Sequence, residues 1–413
     1  MSKLNDIIRE LCPDGVEYTT IGEIGEFFGG LTGKSKGDFS SGNAKYITYM
    51  NVFSNLAVKT DITDFVKVGS NERQHNVIIG DVIFTGSSET REECGISSVL
   101  MDKIEEPLYL NSFCFGFRLN ESNTLIPGFS KYLFRSNEIR KQIIMTANGV
   151  TRFNVSKEKM KRVRIPLPPL PVQREIVQIL DNFAELTAEL TAELTARKKQ
   201  YEYYRNTLLT FGDDVPVVSL GEVGTITRGN GLQKSDFVEN GVGCIHYGQI
   251  YTYYGTFAYE TKSFVTTTLA AVLKKVNTND IIITVTSENI EDVCKCVVWL
   301  GKDEIVTGGH TAIFKHSQNP KFIAYCLQTP AFFEQKYKIT HGTKVIEVTP
   351  KKLEILKIPL PPLKEQARIV AILDKFNALT TDIANGLPAE IETRRKQYEY
   401  YRDKLLTFDE KMV

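Results

Sequence analysis

The stretch Gly29-Gly-Leu-Thr-Gly33-Lys34-Ser35 has the glycines and the Lys-Ser pair of a loop that cradles phosphate. A nucleotide loop of that type needs four residues between its glycines and a helix opening at its end. Here three residues separate Gly29 from Gly33, and Lys36-Gly-Asp38 does not open a helix. A diverged copy, Arg228-Gly-Asn-Gly-Leu-Gln-Lys-Ser235, keeps the polar loop and loses the nucleotide pattern. The expectation is a basic, glycine-rich loop that approaches a phosphate backbone, not a nucleotide site. The histidines, at 75, 246, 310, 316 and 341, have no ligand spacing to cysteines or carboxylates, so no metal site is expected. Seven cysteines without a Cys-x-x-Cys, the nearest pair being Cys294 and Cys296, read as reduced and mostly buried.

Polar and basic side chains in loops that recur at matching places in two halves of the chain are candidates for reading base edges. They are Lys34, Lys36, Arg91, Thr151 and Arg152 in the first half and Gln233, Lys234, Thr343 and Lys344 in the second. Arg can read guanine and Gln adenine in a major groove, but each residue alone reads equally well as solvated surface. The basic run Lys157, Lys159, Lys161, Arg162 and Arg164 either clamps phosphate or flanks the segment that follows it. The tyrosines of Gln200-Tyr-Glu-Tyr-Tyr204 and Gln397-Tyr-Glu-Tyr-Tyr401 admit a stacking role on nucleic acid. Their spacing beside Arg and Lys favours a buried helix–helix or subunit contact instead.

What positions these residues is a duplicated rod. Ile165-Pro-Leu-Pro-Pro-Leu170 returns as Ile358 to Leu363, Lys199-Gln-Tyr-Glu-Tyr-Tyr-Arg205 returns as Lys396 to Arg402, and Leu208-Leu-Thr-Phe211 returns as Leu405 to Phe408. Each Pro-rich lead-in is extended, and Pro171 suits the first turn of the helix after it. Counting alternately four and three from Ile176 gives Leu180, Phe183, Thr187, Leu190, Leu194, Arg197, Tyr201, Tyr204, Leu208 and Phe211, a coiled-coil stripe interrupted by Thr187 and Arg197. The second stripe carries Ile369, Leu373, Phe376 and Ile383, meets Asn385-Gly-Leu-Pro388, which should kink or break it, and resumes through Leu387, Ile391, Arg394, Tyr398, Tyr401, Leu405 and Phe408. The first rod also holds two full Thr-Ala-Glu-Leu units between Thr187 and Leu194. Adding or removing one unit moves everything beyond it by roughly 6 Å and about 40°, which marks an adjustable spacer. Coiled-coil partners tolerate such four-residue stutters. Silent slippage in a solvated helix is the plainer alternative.

The chain between the rods repeats more loosely. Gly80-Asp-Val-Ile-Phe-Thr-Gly-Ser-Ser-Glu89 lines up with Asn279 to Glu288, and Asn148-Gly-Val-Thr151 with His341 to Lys344. Residues 1–164 read as a mixed α/β domain with a helix near Leu4–Leu11 and strands at Tyr46–Tyr49, Val77–Ile79, Asp81–Phe84, Ile96–Met101 and Phe113–Leu119. A helix after Pro127 closes it. Residues 165–211 form the first rod, 212–357 a second mixed domain, and 358–413 the second rod. Lys+Arg and Asp+Glu are 50 each, so net charge gives no prior for a nucleic-acid or membrane partner, and any basic surface must be local. Neither a signal peptide nor an uncharged apolar run of about 18 residues is evident, which points to a cytoplasmic protein with no membrane partner.

The Pro-Leu-Pro-Pro-Leu segment followed by Gln173, Ile176, Val177 and Leu180, and again by Gln366, Ile369, Val370 and Leu373, resembles the conserved region of type I restriction-modification specificity subunits. The resemblance covers the whole chain. It implies two mixed α+β target-recognition domains, duplicated and pseudo-twofold symmetric, joined by two long antiparallel coiled-coil helices. Each domain would read one half of a bipartite, asymmetric site in double-stranded DNA, with half-sites centred roughly 34–36 Å apart. It further implies docking on two modification (methyltransferase) subunits, with restriction (translocase/endonuclease) subunits added. Ile176, Leu180, Phe183, Leu190, Leu194, Tyr201, Tyr204, Leu208, Ile369, Leu373, Phe376, Tyr398, Tyr401 and Leu405 would serve the coiled coil and the docking. S-adenosylmethionine, ATP and Mg are implied only for the partners. Consistent with that, the chain has no Asn-Pro-Pro-aromatic tetrapeptide of the kind amino-methyltransferases share. Three rival readings are a specificity subunit of a single-polypeptide restriction-methylation enzyme, a coiled-coil scaffold that binds only proteins, and a nucleotide-dependent enzyme needing Lys34.

Overall fold

Proline dictates how each rod begins. In a computed structural model describing residues 2–340, 345–381 and 386–411, Arg164–Leu167 is a strand paired antiparallel with Glu17–Thr20, Ile165 lying opposite Thr19. Lys357–Pro359 pairs in the same way with Val217–Ser219. A proline lacks the N–H a central strand needs, so each lead-in takes only a two-stranded edge pairing. One continuous helix then runs from Leu170 to Leu208, 39 residues and about 58 Å. The second rod is two helices, Leu363–Thr381 and Leu387–Leu405. Pro388 sits in the first turn of the latter, where its missing N–H is tolerated. Ile383 and Asn385, on which the expected break partly rests, lie outside the described residues.

The chain divides into two compact units, 1–189 with 392–413, and 190–391. Each unit therefore combines one globular region with a stretch of both rods. In the first, the Val172, Ile176 and Leu180 side chains join Leu405 and Leu406 in one core, and Phe183 stacks on Tyr401 at 5.3 Å. In the second, Tyr204 stacks on Phe376 at 5.2 Å, and Tyr201, Ile369 and Leu373 share the core. The seam residues Leu190, Leu194 and Leu208 are half-buried, as are Tyr398 and Tyr401. Both interruptions of the first seam are reconciled within the helix: Thr187 donates to the Phe183 carbonyl at 2.8 Å, and Arg197 donates to Gln200 Oε1 at 3.0 Å.

The first globular region carries a four-stranded antiparallel sheet in the order Gly25–Gly29, Cys114–Leu119, Val82–Thr85, Ser97–Val99. The second repeats it as Gly224–Arg228, Thr311–His316, Ile281–Thr284, Cys296–Trp299, with Phe257–Ala258 added in parallel. Smaller sheets are built on Ala44–Ile47 and Val242–Ile245. Three local expectations are corrected. Val77–Ile79 is not a strand: Ile78 N–H donates to the Asp81 carboxylate and Gly80 follows at φ +89°, so the chain turns there. The expected strand at Tyr46 to Tyr49 ends at Ile47, because Thr48 caps a helix that starts at Tyr49. The helix after Pro127 is two, Pro127–Leu133 and Asn137–Met145, with Ser136 as N-cap of the second. No helix among the described residues is long and apolar enough to cross a membrane.

Candidate nucleic-acid interface

Two small antiparallel strand pairings bring together blocks that are distant in sequence. Ser87–Ser88 pairs antiparallel with Phe153–Val155, Ser88 opposite Phe153, and Thr286–Ser287 pairs with Ile346–Glu347. The Gly80–Glu89 and Asn148–Thr151 blocks of the first unit thereby meet. Beside them stands the helix Tyr49–Ser54, fixed by the Tyr49 hydroxyl donating to the Ser87 carbonyl at 3.0 Å. The tight turn at Asn111, whose carboxamide accepts from Phe113 N–H at 2.8 Å, holds the Phe113 ring 55% exposed. These elements enclose a cleft of about 570 Å³.

Arg152 and Thr151 line this cleft. The Arg152 guanidinium lies 5.5 Å over the Phe113 ring and donates to Ser87 Oγ at 3.2 Å. Glu89 and Glu93 face the same space, Glu93 accepting from Ser88 Oγ at 2.9 Å while Glu89 is exposed. Lys34 is placed differently from its reading as a phosphate contact. Its ammonium donates to the Lys67 carbonyl at 2.6 Å and pairs with Glu72, leaving the side chain 6% exposed. That bond holds the Glu72 carboxyl below the usual carboxylate range. Lys34 thus stitches its loop, and no phosphate cradle forms around it. Lys36 is exposed on a single turn of 3₁₀ helix, and Arg91 is exposed in the turn before Cys94. Neither lines the cleft.

In the second unit Gln233 and Lys234 are exposed at the start of a short 3₁₀ turn. Lys234 lies near His246, whose pKa is pushed down by burial and then by the charge of Lys234. Thr343 and Lys344 lie outside the described residues. Sequence reasoning missed the cluster that completes this face. Tyr247 packs between His246 and His310, with ring centres 4.5 and 4.6 Å away, and His310 Nδ1 bonds Thr286 Oγ1 at 2.9 Å. Arg228 donates to the Gly309 carbonyl at 2.8 Å and pairs with Glu347 at 2.6 Å. One signal was available: Ile47-Thr-Tyr49 and Ile245-His-Tyr247 occupy matching positions. Among the described residues no group of three His, Cys, Asp or Glu could hold a metal. All seven cysteines are free and buried, and burial pushes the Cys114, Cys244, Cys294 and Cys296 thiols up to about 12.

The rod motifs explain how each globular region is held. Gln173 is buried, accepting from Ile126 N–H and donating to the Thr124 and Pro168 carbonyls. Gln366 accepts from Asn319 N–H and donates to the Pro361 carbonyl and to Gln318 Oε1. Asp181 accepts from Lys131 at 2.7 Å and from the Tyr132 hydroxyl; Asp374 accepts from Lys321 and Tyr325 at 2.6 and 2.7 Å. Tyr398 then packs edge-on against Tyr132, and Tyr201 against Tyr325. The middle tyrosines, Tyr203 and Tyr400, remain 65% and 60% exposed.

The family model for the type I restriction modification DNA specificity domain matches this chain twice, over residues 13–197 and 212–393. Over 269 residues, 62% of its length, the chain is 38% identical to the EcoR124I/EcoR124II type I restriction enzyme specificity subunit of Escherichia coli. That alignment spans 65% of the relative, just under two thirds of its length. A putative type I restriction enzyme specificity subunit of Haemophilus influenzae is 34% identical over 63% of this chain and 68% of its own. A chain solved in work on assembly and conformational transition of the type I system has a TM-score of 0.62 at 20% identity, over 95% of this chain and 98% of that one. The type I S subunit from M. genitalium gives 0.51 at 14% identity, over 95% and 96%. At these identities the structural matches establish a shared fold.

Proposed function

The chain belongs to the type I restriction modification DNA specificity family, and from that premise we propose that it is the DNA-reading subunit of a restriction-modification complex. Each globular region reads one half of a bipartite, asymmetric duplex site, and the paired rods set the distance between the halves. The observation that carries this reading is the contrast between the two kinds of segment. Gln173/Gln366 repeat their bonds to Pro168/Pro361 and Ile126/Asn319, and Asp181/Asp374 theirs to Tyr132/Tyr325, whereas the exposed faces differ, Arg152 and Phe113 in one unit, Tyr247 and His310 in the other. Identical mounts with different faces suit two unlike half-sites.

The subunit catalyses nothing itself and works in the cytoplasm. Two modification subunits bring S-adenosylmethionine, and restriction subunits bring ATP and Mg. Docking falls on rod residues that internal packing leaves free, above all Tyr203 and Tyr400, since Tyr201, Tyr204, Tyr398 and Tyr401 are engaged within their own units. Methylome mapping of cells carrying the assembled system tests the reading. A two-part adenine-methylated consensus supports it; methylation with no defined two-part consensus overturns it.

A further inference from the structure

The cleft of the first unit has a composition that a phosphate contact does not need and a base edge does. A phosphate asks for positive charge and N–H donors, and is repelled by carboxylates. Here Arg152 shares its cleft with Glu89 and Glu93, so the local charge does not favour the backbone. The Arg152 guanidinium is also restrained on two sides, by the Phe113 ring and by Ser87 Oγ. A plane held that way offers its remaining donors in a fixed fork, which lowers the ordering cost of a bidentate bond. In the same cleft Met50 is 59% exposed and Phe113 55%. Apolar groups left in water around an oriented arginine fit the flat, partly apolar edges of stacked base pairs.

From this juxtaposition we infer that Arg152 is a specificity-determining residue of the first unit, donating in bidentate fashion to a guanine O6 and N7 in the major groove. The inference rests on the reading of the chain as a DNA-specificity subunit and names the base pair class that one of its faces selects. The second unit has no equivalent arginine. By the strand registers, Phe153 opposite Ser88 corresponds to Ile346 opposite Ser287, which puts Val345 where Arg152 stands. At the matching strand pair Arg228 is already paired with Glu347. The guanine contact made by Arg152 therefore belongs to one half-site alone.

The test uses the full complex with its modification subunits and duplexes carrying the site mapped for the wild type, together with every single-base-pair change in it. Arg152→Ala should weaken binding to the mapped site roughly tenfold or more. It should abolish discrimination at one G·C pair in one half-site and leave the other half-site as selective as before. Retained selectivity there also shows that the variant is folded. Arg152→Lys, which keeps the charge and loses the fork, should lose the same discrimination. The inference is overturned if both variants keep the wild-type preference at every position, or if the position that relaxes is an A·T pair. It is equally overturned if Arg152→Ala weakens all duplexes alike while the slope of log affinity against log salt shrinks by about 0.9, the mark of one lost phosphate contact. A wild-type complex without any two-part preference would instead bring down the proposed function, and this assignment with it.

Discussion

Gly95 and Cys294 occupy corresponding turns at φ +63° and +64°, a region that an L side chain adopts only with strain. In the first unit glycine is the residue that fits, because a Cβ there would lie 2.5 Å from Ile143 Cγ2. Gly95→Ala should therefore cost about 2 kcal/mol or more, from left-handed backbone plus overpacking, read as a lowered urea midpoint; an unchanged midpoint would show that the turn relaxes. In the second unit burial lowers the pKa of both His246 and His316. The folded state resists protonating them while the unfolded chain accepts protons at the ordinary histidine pKa, so stability is lost as pH falls through the range below that value. The fluorescence of Trp299, the chain's single tryptophan, lies in a strand of this unit and should report an earlier unfolding midpoint at pH 5.5 than at 7.5. His316→Asn, whose carbonyl can still accept from Gln318 N–H, should flatten the fall; an equal fall in the variant would remove His316 as its source.

The rods are the most legible elements because one physical requirement, a continuous apolar seam, governs every fourth and third residue. Ile176, Leu180, Tyr201, Ile369, Leu373 and Leu405 are all buried, and the exceptions Thr187 and Arg197 resolve through bonds within their own helix. The globular regions obey no such single rule. Val77–Ile79 has a strand's composition, yet the Asp81 carboxylate and the left-handed Gly80 redirect it. The geometry of the candidate interface is half legible. Arg152 is identifiable from its loop, but its Phe113 platform arrives from a separate turn, and Lys34 looks like a phosphate ligand until Glu72 and Lys67 converge on it. Only tertiary structure settles such cases. The spacer reading stays testable in the rod itself. Deleting Thr187–Leu190 removes one tetrapeptide and about 6 Å of helix, equivalent to one or two base pairs at roughly 3.4 Å each. Methylome mapping of the deletion should return the same half-sites with a shorter gap, and an unaltered gap would rule out the rod as the spacing element.

Charge across the full chain poses a different question, since 50 basic and 50 acidic residues leave a net charge of zero. Several cations are committed to carboxylates: Lys34 to Glu72, Arg118 to Asp81, Arg164 to Glu410 and Arg228 to Glu347. DNA affinity is largely bought by releasing counterions from phosphates, and a chain of zero net charge adds no overall electrostatic pull to that source. In the proposed function the base contacts discriminate between sequences once a partner holds the duplex in place. That division of labour makes a prediction about partners. The isolated chain should bind a duplex carrying its site weakly and with a shallow dependence of log affinity on log salt, whereas the complex with modification subunits should bind far more tightly and with a steeper slope. Fluorescence anisotropy across a salt series, with the same labelled duplex for both, measures the two slopes directly. Equal slopes would mean that the chain supplies the phosphate contacts alone, in which case exposed residues such as Lys36, Arg91 and Lys234 must provide them, and their combined substitution by alanine should then reduce the slope of the isolated chain.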